Sequence, residues 1–477
     1  MRRAAASMTA AAMPFCGCSR DRKRPNIVFI LTDDQRWDAL GAAGNAVIQT
    51  PQLDRLAADG CLFRNAFVTT AICMASRASI FTGLYERKHG CNFNTGDLKP
   101  AFWDKSYPVL LRRAGYFTGF IGKFGFAVMD VPRERNIINR AWNDINNIPH
   151  GDFDVWHGFP GQGRYFPEGP EGRHLTRIMT DQAIGFFKSA PRDKPFCLSV
   201  SFKAPHAPYT PDPEYKDMYS DVDIPVPQTS KREYFNRLPK FIRDSHAHLG
   251  VKDNGYWQRR YSTPEKYQQT MKKYYQLIAG VDAAVGRIRE ALKEQNLDDN
   301  TVIIFMGDNG EFESEHLLGG KALLREESIR VPLIVYDPRL PDQQRGGKRD
   351  ELALNIDIAP TILSLAGLPV PASVHGLDMM SLLTGGDDTW RDDFFCENNF
   401  MLDHRNKSPQ IYPMCECVRA ERFKYIRYTD QRPVYEELFD LQLDPHETNN
   451  LAEDEQYRLT LNKLRERCDE LVSIAGN

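Results

Sequence analysis

Five short apolar runs constrain the fold most, because they are rich in β-branched and aromatic residues and are bounded by turn-forming residues. The runs are "NIVFIL", "GYFTGFIG", "PFCLSVSF", "TVIIFM" and "VPLIVY". Such runs are typical of buried strands. Between them lie helical patterns, clearest over 274–292, where apolar residues recur three and four positions apart. Strands that alternate with helices predict an α/β fold with a large mixed, mostly parallel sheet sandwiched by helices.

Polar residues stand directly after four of these strands. In open α/β sheets, ligands bind beyond the carboxyl ends of the strands, so residues far apart in the chain could meet at one edge. Each residue alone could simply end a strand in a turn, but six together favour a site. The residues are Asp33, Asp34, Lys123, His206, Asp308 and Asn309.

The residue types at this edge indicate a chemistry. Three carboxylates and one amide suit a hard divalent cation such as Ca²⁺ or Mg²⁺. Nearby lysine, arginine and histidine side chains suit a tetrahedral oxyanion and would stabilise its charge during reaction. The combination predicts hydrolysis or transfer of a phosphate or sulfate ester, and it leaves the nucleophile open.

The segment "AICMASRASIFTGLY" at 71–85 contains a candidate nucleophile. Its "CMASR" matches the C/S-x-P/A-x-R motif of the type I, formylglycine-dependent sulfatases. Four further segments resemble sulfatase motifs in the same order along the chain: "RPNIVFILTDDQ", "AGYFTGFIGKFG", "KAPHAPY" and "GDNGEFESEHLLGGKALLREESIRVPLIV". The chain therefore resembles a type I sulfatase of the alkaline-phosphatase-like superfamily from about residue 24 to residue 452.

The resemblance implies a modified nucleophile and a metal ion. A separate formylglycine maturation enzyme would convert Cys73 to Cα-formylglycine, whose hydrated aldehyde would attack the sulfur atom of a sulfate ester. One Ca²⁺ ion would hold that group. The implied metal ligands are Asp33, Asp34, Cys73 in its modified form, Asp308 and Asn309.

The resemblance also assigns the remaining charged residues. Arg77 would hold the hydrated aldehyde, Lys123 and Lys321 would bind sulfate oxygens, and His206 would protonate the leaving alcohol. His316 lies close to Lys321 in the chain and has equal claims to a substrate-facing and a surface role. Each role has an alternative. Arg77 would only pair with a carboxylate, Lys321 would be an exposed loop lysine, and His206 would only occupy a turn.

Two positions depart from the family pattern. Ala75 stands where proline is more usual, an accepted variant, so maturation of the nucleophile is still expected. Gly125 stands where the family has the histidine of a Lys-x-His motif, an imidazole that contacts the formylglycine. We expect another base from the long loops to replace it, with His157 and His174 as candidates. Slower turnover and a different activity are the alternatives.

Two rival functions stay open beside the sulfatase. One is a phosphodiesterase or phosphonate monoester hydrolase of the same superfamily, and the other is a non-catalytic protein that binds sulfated glycans. Irregular loops over 126–171 and 206–264 carry Trp142, Trp156 and Trp257. Aromatic faces stack on sugar rings, which favours a sulfated carbohydrate as substrate. The alternative is that these side chains only pack the loops.

Composition and the chain ends limit location and partners. The formal net charge is −3 without a long basic block, so nucleic acid is not an expected partner. No apolar stretch is long enough for a membrane-spanning helix. Residues 1–23 resemble an export signal or a disordered leader, and "FCGC" makes Cys18 a possible lipid anchor. We therefore expect an exported protein, either periplasmic or an outer-membrane lipoprotein, in which a disulfide is possible.

The pattern of elements changes after residue 367. We predict a catalytic domain over 24–367 and a smaller C-terminal subdomain over 368–477. The segments "CECVRAERFKYIRY" and "YEELFDLQLDPHETNNLAED" predict a small antiparallel sheet followed by a closing helix.

Overall fold

The structure is a computed structural model that describes residues 24–93, 96–130, 143–248, 255–385, 390–399 and 412–477. Its strands are β1 (Asn26–Asp33), β2 (Cys61–Phe63), β3 (Ala66–Phe67), β4 (Phe117–Lys123), β5 (Val155–Phe159), β6 (Phe196–Pro205), β7 (Thr301–Gly307), β8 (Phe312–Glu313), β9 (Gly319–Gly320), β10 (Leu333–Tyr336), β11 (Gly347–Arg349), β12 (Ala353–Leu354), β13 (Asp393–Asn398), β14 (Cys415–Ala420), β15 (Phe423–Tyr428) and β16 (Tyr435–Asp440). Its α-helices are α1 (Pro51–Asp59), α2 (Cys73–Thr82), α3 (Glu86–His89), α4 (Pro100–Trp103), α5 (Tyr107–Arg113), α6 (Leu175–Ser189), α7 (Arg232–Arg237), α8 (Lys240–Arg243), α9 (Tyr256–Arg260), α10 (Pro264–Glu294), α11 (Glu326–Ile329), α12 (Ile358–Leu365), α13 (Met380–Thr384) and α14 (Arg458–Gly476). The predicted leader with Cys18, and Trp142, lie outside the described residues.

The central sheet has eight strands in the order β11-β2-β10-β7-β1-β6-β4-β5. Strands β7, β1, β6, β4 and β5 are parallel neighbours, whereas β10 runs antiparallel to both β7 and β2. Every residue of β1, β6 and β7 is buried, which is why their sequences read as continuous apolar runs rather than alternating ones. The predicted mixed, mostly parallel sheet is confirmed.

Helices cover both faces of this sheet. Apolar residues of α1, α6 and α10 pack on one face, and those of α2, α5 and α12 pack on the other. The predicted 274–292 helix is the C-terminal part of α10, which begins earlier because the Thr263 hydroxyl accepts a hydrogen bond from the Lys266 N–H and Pro264 opens the helix.

A second sheet lies in the C-terminal part of the chain. Strands β13, β14, β15 and β16 are antiparallel neighbours in sequence order, and α14 packs on them. The predicted antiparallel sheet and closing helix are therefore confirmed. Buried ion pairs join it to the start of α11, with Arg325 Nη2 2.8 Å from Glu437 and Lys424 Nζ 2.8 Å from Glu326. The domain boundary at 367/368 stays a prediction.

Two further expectations concern membranes and disulfides. None of the helices in the described ranges is long and apolar enough to cross a membrane. The eight cysteines in those ranges are all buried and none forms a disulfide.

The sheet brings the predicted polar residues to one edge. In the parallel register, Thr32 lies opposite Gly307, Asp33 lies opposite Pro205, and Gly122 lies opposite Ser201. The residues that follow these positions therefore leave the sheet on the same side.

Candidate active site

The aspartates at the end of β1 form the centre of the site. Asp33 is fully buried, and its Oδ2 accepts a hydrogen bond from Lys123 Nζ at 2.5 Å. Its other oxygen, Oδ1, has no hydrogen-bond partner in the described structure. Asp34 has a φ of 65°, in the left-handed region, which turns the chain so that its own N–H donates to Asp308 Oδ1 at 3.1 Å.

The residues after β7 complete this group. Asn309 Nδ2 donates to Asp34 Oδ1 at 2.7 Å. Lys321 Nζ lies against the same oxygen of Asp34 and 3.3 Å from Asn309 Oδ1. Four residues separated by as many as 276 positions, Asp33, Asp34, Asp308 and Asn309, are thus joined in one buried network.

Position 73 opens helix α2 at this network. Cys73 is the first residue of the helix and is almost completely buried. Arg77 follows one helical turn later on the same face, which is the physical reason for the spacing in "CMASR". Arg77 Nε donates to Asp308 Oδ2 at 2.8 Å and Nη1 donates to the Lys123 carbonyl at 2.7 Å. Nη1 also donates to the Ser201 hydroxyl, so the guanidinium is fixed on three sides.

The donor set fits a hard divalent cation. Oxygen atoms of three carboxylates and one amide meet within the network, and Asp33 presents a buried oxygen that no described residue satisfies. Ligand atoms of Asp33, Asp34 and His206 lie within 4.8 Å of one another. Burial and the adjacent Asp33 carboxylate raise the pKa of Asp308 above its usual range. A bound cation would offset the part of this shift that comes from the Asp33 carboxylate.

His206 borders the carboxylates from the loop after β6. Its Nε2 is 3.7 Å from Asp34 Oδ2, and its Nδ1 lies against the Ala207 carbonyl. Burial is the main cause that lowers the pKa of His206, to about 4, although Asp34 and Asp33 act in the opposite direction. The imidazole is partly exposed, so a molecule in the site could reach it.

His316 does not join this group. Its Nε2 lies 3.0 Å from the His446 carbonyl, and its ring packs edge-on against Tyr234. A φ of 52° at His316 turns the side chain toward the C-terminal part of the chain. Its described contacts are with packing neighbours rather than with the aspartates or Lys321.

The missing histidine has a steric explanation. Gly125 has a φ of 95°, and a Cβ atom placed there would lie 2.6 Å from Arg77 Cδ. Neither His157 nor His174, the two candidate replacements, has a described contact with Gly125 or Arg77. His174 caps α6 and its Nε2 contacts the Thr210 carbonyl, while His157 is exposed on β5.

Two residues at the site were missed by the sequence analysis. Gln162 follows β5, and its Oε1 accepts a hydrogen bond from Lys123 Nζ at 2.7 Å. Lys203 is 2 % exposed near the end of β6. The position of Lys203 near a strand end, three residues before His206, was a usable signal. No local pattern marks Gln162, because its role depends on the path of the loop.

Trp156 and Trp257 are half-buried and pack against other aromatic side chains. Trp156 stacks on Phe120 with ring centroids 5.0 Å apart, and Trp257 stacks on His248 at 4.8 Å. These contacts are with other side chains of the protein, and stacking on a sugar ring stays a prediction for both residues.

The comparisons with known proteins agree with this geometry. A sequence model of the sulfatase family matches residues 25–368, more than half of the chain, and a model of the N-sulphoglucosamine sulphohydrolase C-terminal region matches residues 314–473. The chain is 28 % identical to an N-acetylglucosamine-6-O-sulfatase of Bacteroides thetaiotaomicron, over 96 % of this chain and 89 % of that protein. It is 29 % identical to an arylsulfatase of Clostridium perfringens, over 93 % of each chain.

Two solved structures extend the comparison. One is a protein in complex with its substrate D-glucosamine-2-N,6-O-disulfate, with a TM-score of 0.76, 25 % identity, and coverage of 95 % of this chain and 98 % of that one. The other is a phosphonate monoester hydrolase of Agrobacterium radiobacter, with a TM-score of 0.78, 25 % identity, and coverage of 95 % and 96 %.

Proposed function

The chain belongs to the sulfatase family and is a sulfuric ester hydrolase. We propose that it removes sulfate from a carbohydrate, and that it uses one Ca²⁺ ion together with a formylglycine that is made from Cys73. The observation that carries this proposal is the position of Cys73. It begins a buried helix, one turn before Arg77 and beside a carboxylate network that fits a hard cation. A maturation enzyme would be its partner before catalysis.

The substrate class is supported by the relatives. Matched relatives include N-acetylglucosamine-6-sulfatases from Homo sapiens, 26 % identical over 96 % of this chain, and from Bacteroides thetaiotaomicron. The glucosamine disulfate complex belongs to the same group of neighbours. We therefore propose a sulfated carbohydrate, and N-acetylglucosamine 6-sulfate is the first compound to test. Export through residues 1–23 is part of the same proposal.

The protein's own residues divide the work of the reaction. Asp33, Asp34, Asp308 and Asn309 would hold the metal, and Arg77 would fix the group at position 73. The modified residue and Ca²⁺ supply a nucleophile and a centre of positive charge.

The basic residues act on the ester. Lys123 and Lys321 now pair with Asp33 and Asp34. A bound cation would neutralise those carboxylates and leave both ammonium groups able to bind sulfate oxygens. His206 lies at the partly exposed end of the network, where its Nε2 would give a proton to the departing alcohol oxygen.

A phosphonate monoester hydrolase is the second candidate. The phosphonate monoester hydrolase structure named above has a TM-score of 0.78 to this chain, and Gly125 departs from the sulfatase pattern. A non-catalytic glycan-binding protein is disfavoured, because such a protein has no need of Cys73 and its buried network.

One experiment tests the modification and the reaction together. Protein made with a formylglycine maturation system is digested, and the mass of peptide 65–77 is measured. The same preparation is assayed with N-acetylglucosamine 6-sulfate and with a phosphonate monoester, with Cys73→Ala as the control. We expect the aldehyde mass and release of sulfate that the control lacks. An unmodified Cys73 in a host that matures another sulfatase would refute the mechanism, and preferential phosphonate hydrolysis would favour the second candidate.

A further inference from the structure

Lys203 carries a buried charge that the reaction described above does not use. The residue lies on β6 and is 2 % exposed. Its neighbours Phe202 and Ala204 pack into the core on one side of the sheet. The strand is irregular at this point, because its register against β1 shifts between Ser201 and Pro205. The Lys203 ammonium lies over the Tyr165 ring, close to the carboxyl ends of the parallel strands.

The strand order places Lys203 between two residues of the site. Strand β6 lies between β1 and β4, and Asp33 stands opposite Pro205 while Gly122 stands opposite Ser201. Lys203 is therefore flanked by the ends of the strands that carry Asp33 and Lys123. Asp33 and Asp34 act to raise the pKa of Lys203 and Lys123 acts to lower it, so residues of the site are its electrostatic neighbours.

Lys203 differs from the other cations of the site in its partners. Arg77 pairs with Asp308, Lys123 with Asp33, and Lys321 with Asp34. The Lys203 ammonium instead lies 5.0 Å from the centre of the Tyr165 ring, and none of the described carboxylates forms an ion pair with it.

A buried ammonium without a counter-ion is costly, because the interior solvates charge poorly. Burial accordingly lowers the pKa of Lys203 to about 8. An anion that enters the site would supply the missing counter-ion and would remove that cost.

Position 125 contributes no side chain to the site. The family's imidazole cannot stand at this position while Arg77 Cδ occupies the space of its Cβ. The site therefore lacks the imidazole that the family pattern has at this position.

We propose that Lys203 is a third lysine of the anion pocket and that its ammonium binds an oxygen of the tetrahedral oxyanion of the substrate. This role deepens the proposed function and rests on it, since a sulfate ester is the oxyanion expected there. Lys203 binds the same charged group as Lys123 and Lys321, from the β6 side.

The test measures binding and needs no turnover. Full-length Ca²⁺-loaded protein carrying Cys73→Ala is titrated calorimetrically with N-acetylglucosamine 6-sulfate and with inorganic sulfate. Lys203→Met and Lys203→Gln are compared with Lys123→Met, a change in a proposed sulfate-binding residue. Lys194→Met, a change of an exposed lysine just before β6, is the matched control. The Tm of each protein is recorded.

We expect both Lys203 variants to raise Kd by about ten-fold or more, because a hydrogen bond to a charged group contributes about 1.5–3 kcal/mol. Their Tm values should not fall, since an unpaired buried charge is removed. An unchanged Kd in the Lys203 variants, with weaker binding in Lys123→Met, would overturn this inference and leave the proposed function intact. Loss of folding in both neutral variants would also overturn it, because the contact with Tyr165 would then be structural. Absence of sulfate release by matured wild-type protein would instead count against the proposed function.

Discussion

Restoring the histidine of the family at position 125 should damage this protein. The backbone at Gly125 has a φ of 95°, and an added Cβ would meet Arg77 Cδ at 2.6 Å. Arg77 cannot easily move, because it is fully buried and donates to Asp308 at 2.8 Å and to the Lys123 carbonyl at 2.7 Å. Any side chain at 125 must therefore displace the guanidinium that faces position 73.

Gly115 offers a matched control for the backbone cost. Its φ is 91°, but a Cβ atom there would have no neighbour within 4 Å. Gly115→Ala should lower the free energy of unfolding by about 1 kcal/mol, which is the cost of a left-handed backbone for a residue other than glycine. Gly125→Ala should lower it by the same amount and by about 1–3 kcal/mol more for the steric overlap, about 2–4 kcal/mol in total.

The assay combines unfolding and kinetics. Urea unfolding of Gly115→Ala, Gly125→Ala and Gly125→His gives the free energies, and sulfate release gives kcat/KM. We expect wild-type activity in Gly115→Ala and a loss of about 100-fold in both 125 variants, as for a misplaced positioning group. Equal stability of the two alanine variants, or a higher kcat/KM in Gly125→His, would refute the steric reasoning.

Three further predictions concern the metal, a lysine partner and a buried acid. Chelation of divalent cations should lower the Tm and added Ca²⁺ should restore it, because Asp33 Oδ1 has no partner among the described residues. At a hundred-fold excess over Kd, Ca²⁺ should raise the free energy of unfolding by about 2.7 kcal/mol; calorimetry that shows no change would exclude a bound cation. Gln162→Leu should reduce kcat/KM about ten-fold with little change in Tm, because Lys123 loses its neutral acceptor; kinetics equal to wild type would show that Gln162 does not position the lysine. Burial and the nearby Glu397 raise the pKa of Glu86 to about 8, so the folded state holds a proton that the unfolded state releases, and stability should fall as the pH rises from about 5 to 8. The Tm of Glu86→Gln should fall less over the same range, and an equal fall in both proteins would contradict this assignment.

Much of the fold followed from local pattern. Continuous apolar runs identified the buried central strands, because a parallel strand covered on both faces has no polar side. The same runs predicted that Asp33, Lys123, His206 and Asp308 leave the sheet at one edge. The spacing of Cys73 and Arg77 is a single helical turn, so their adjacency could also be predicted.

What the sequence did not reveal depends on contacts between distant segments. Gln162 reaches Lys123 because of the path of a loop. Lys203 is distinctive because its ammonium lies over the Tyr165 ring and pairs with none of the described carboxylates. His316 was a plausible substrate contact by its position in the chain. A φ of 52° turns it toward His446 instead, and backbone conformations of this kind are seldom predictable for residues other than glycine.

The buried ion pairs between the start of α11 and the second sheet have a consequence for engineering. Lys321 is four residues before Arg325, which pairs with Glu437, and Glu326 pairs with Lys424. In an enzyme truncated near residue 367, Arg325 and Glu326 would lose their ion-pair partners. Breaking one buried pair by removing one partner costs about 3–5 kcal/mol. The C-terminal part is therefore not an exchangeable module. Grafting it from another protein would preserve catalysis only if the graft also supplied partners for Arg325 and Glu326.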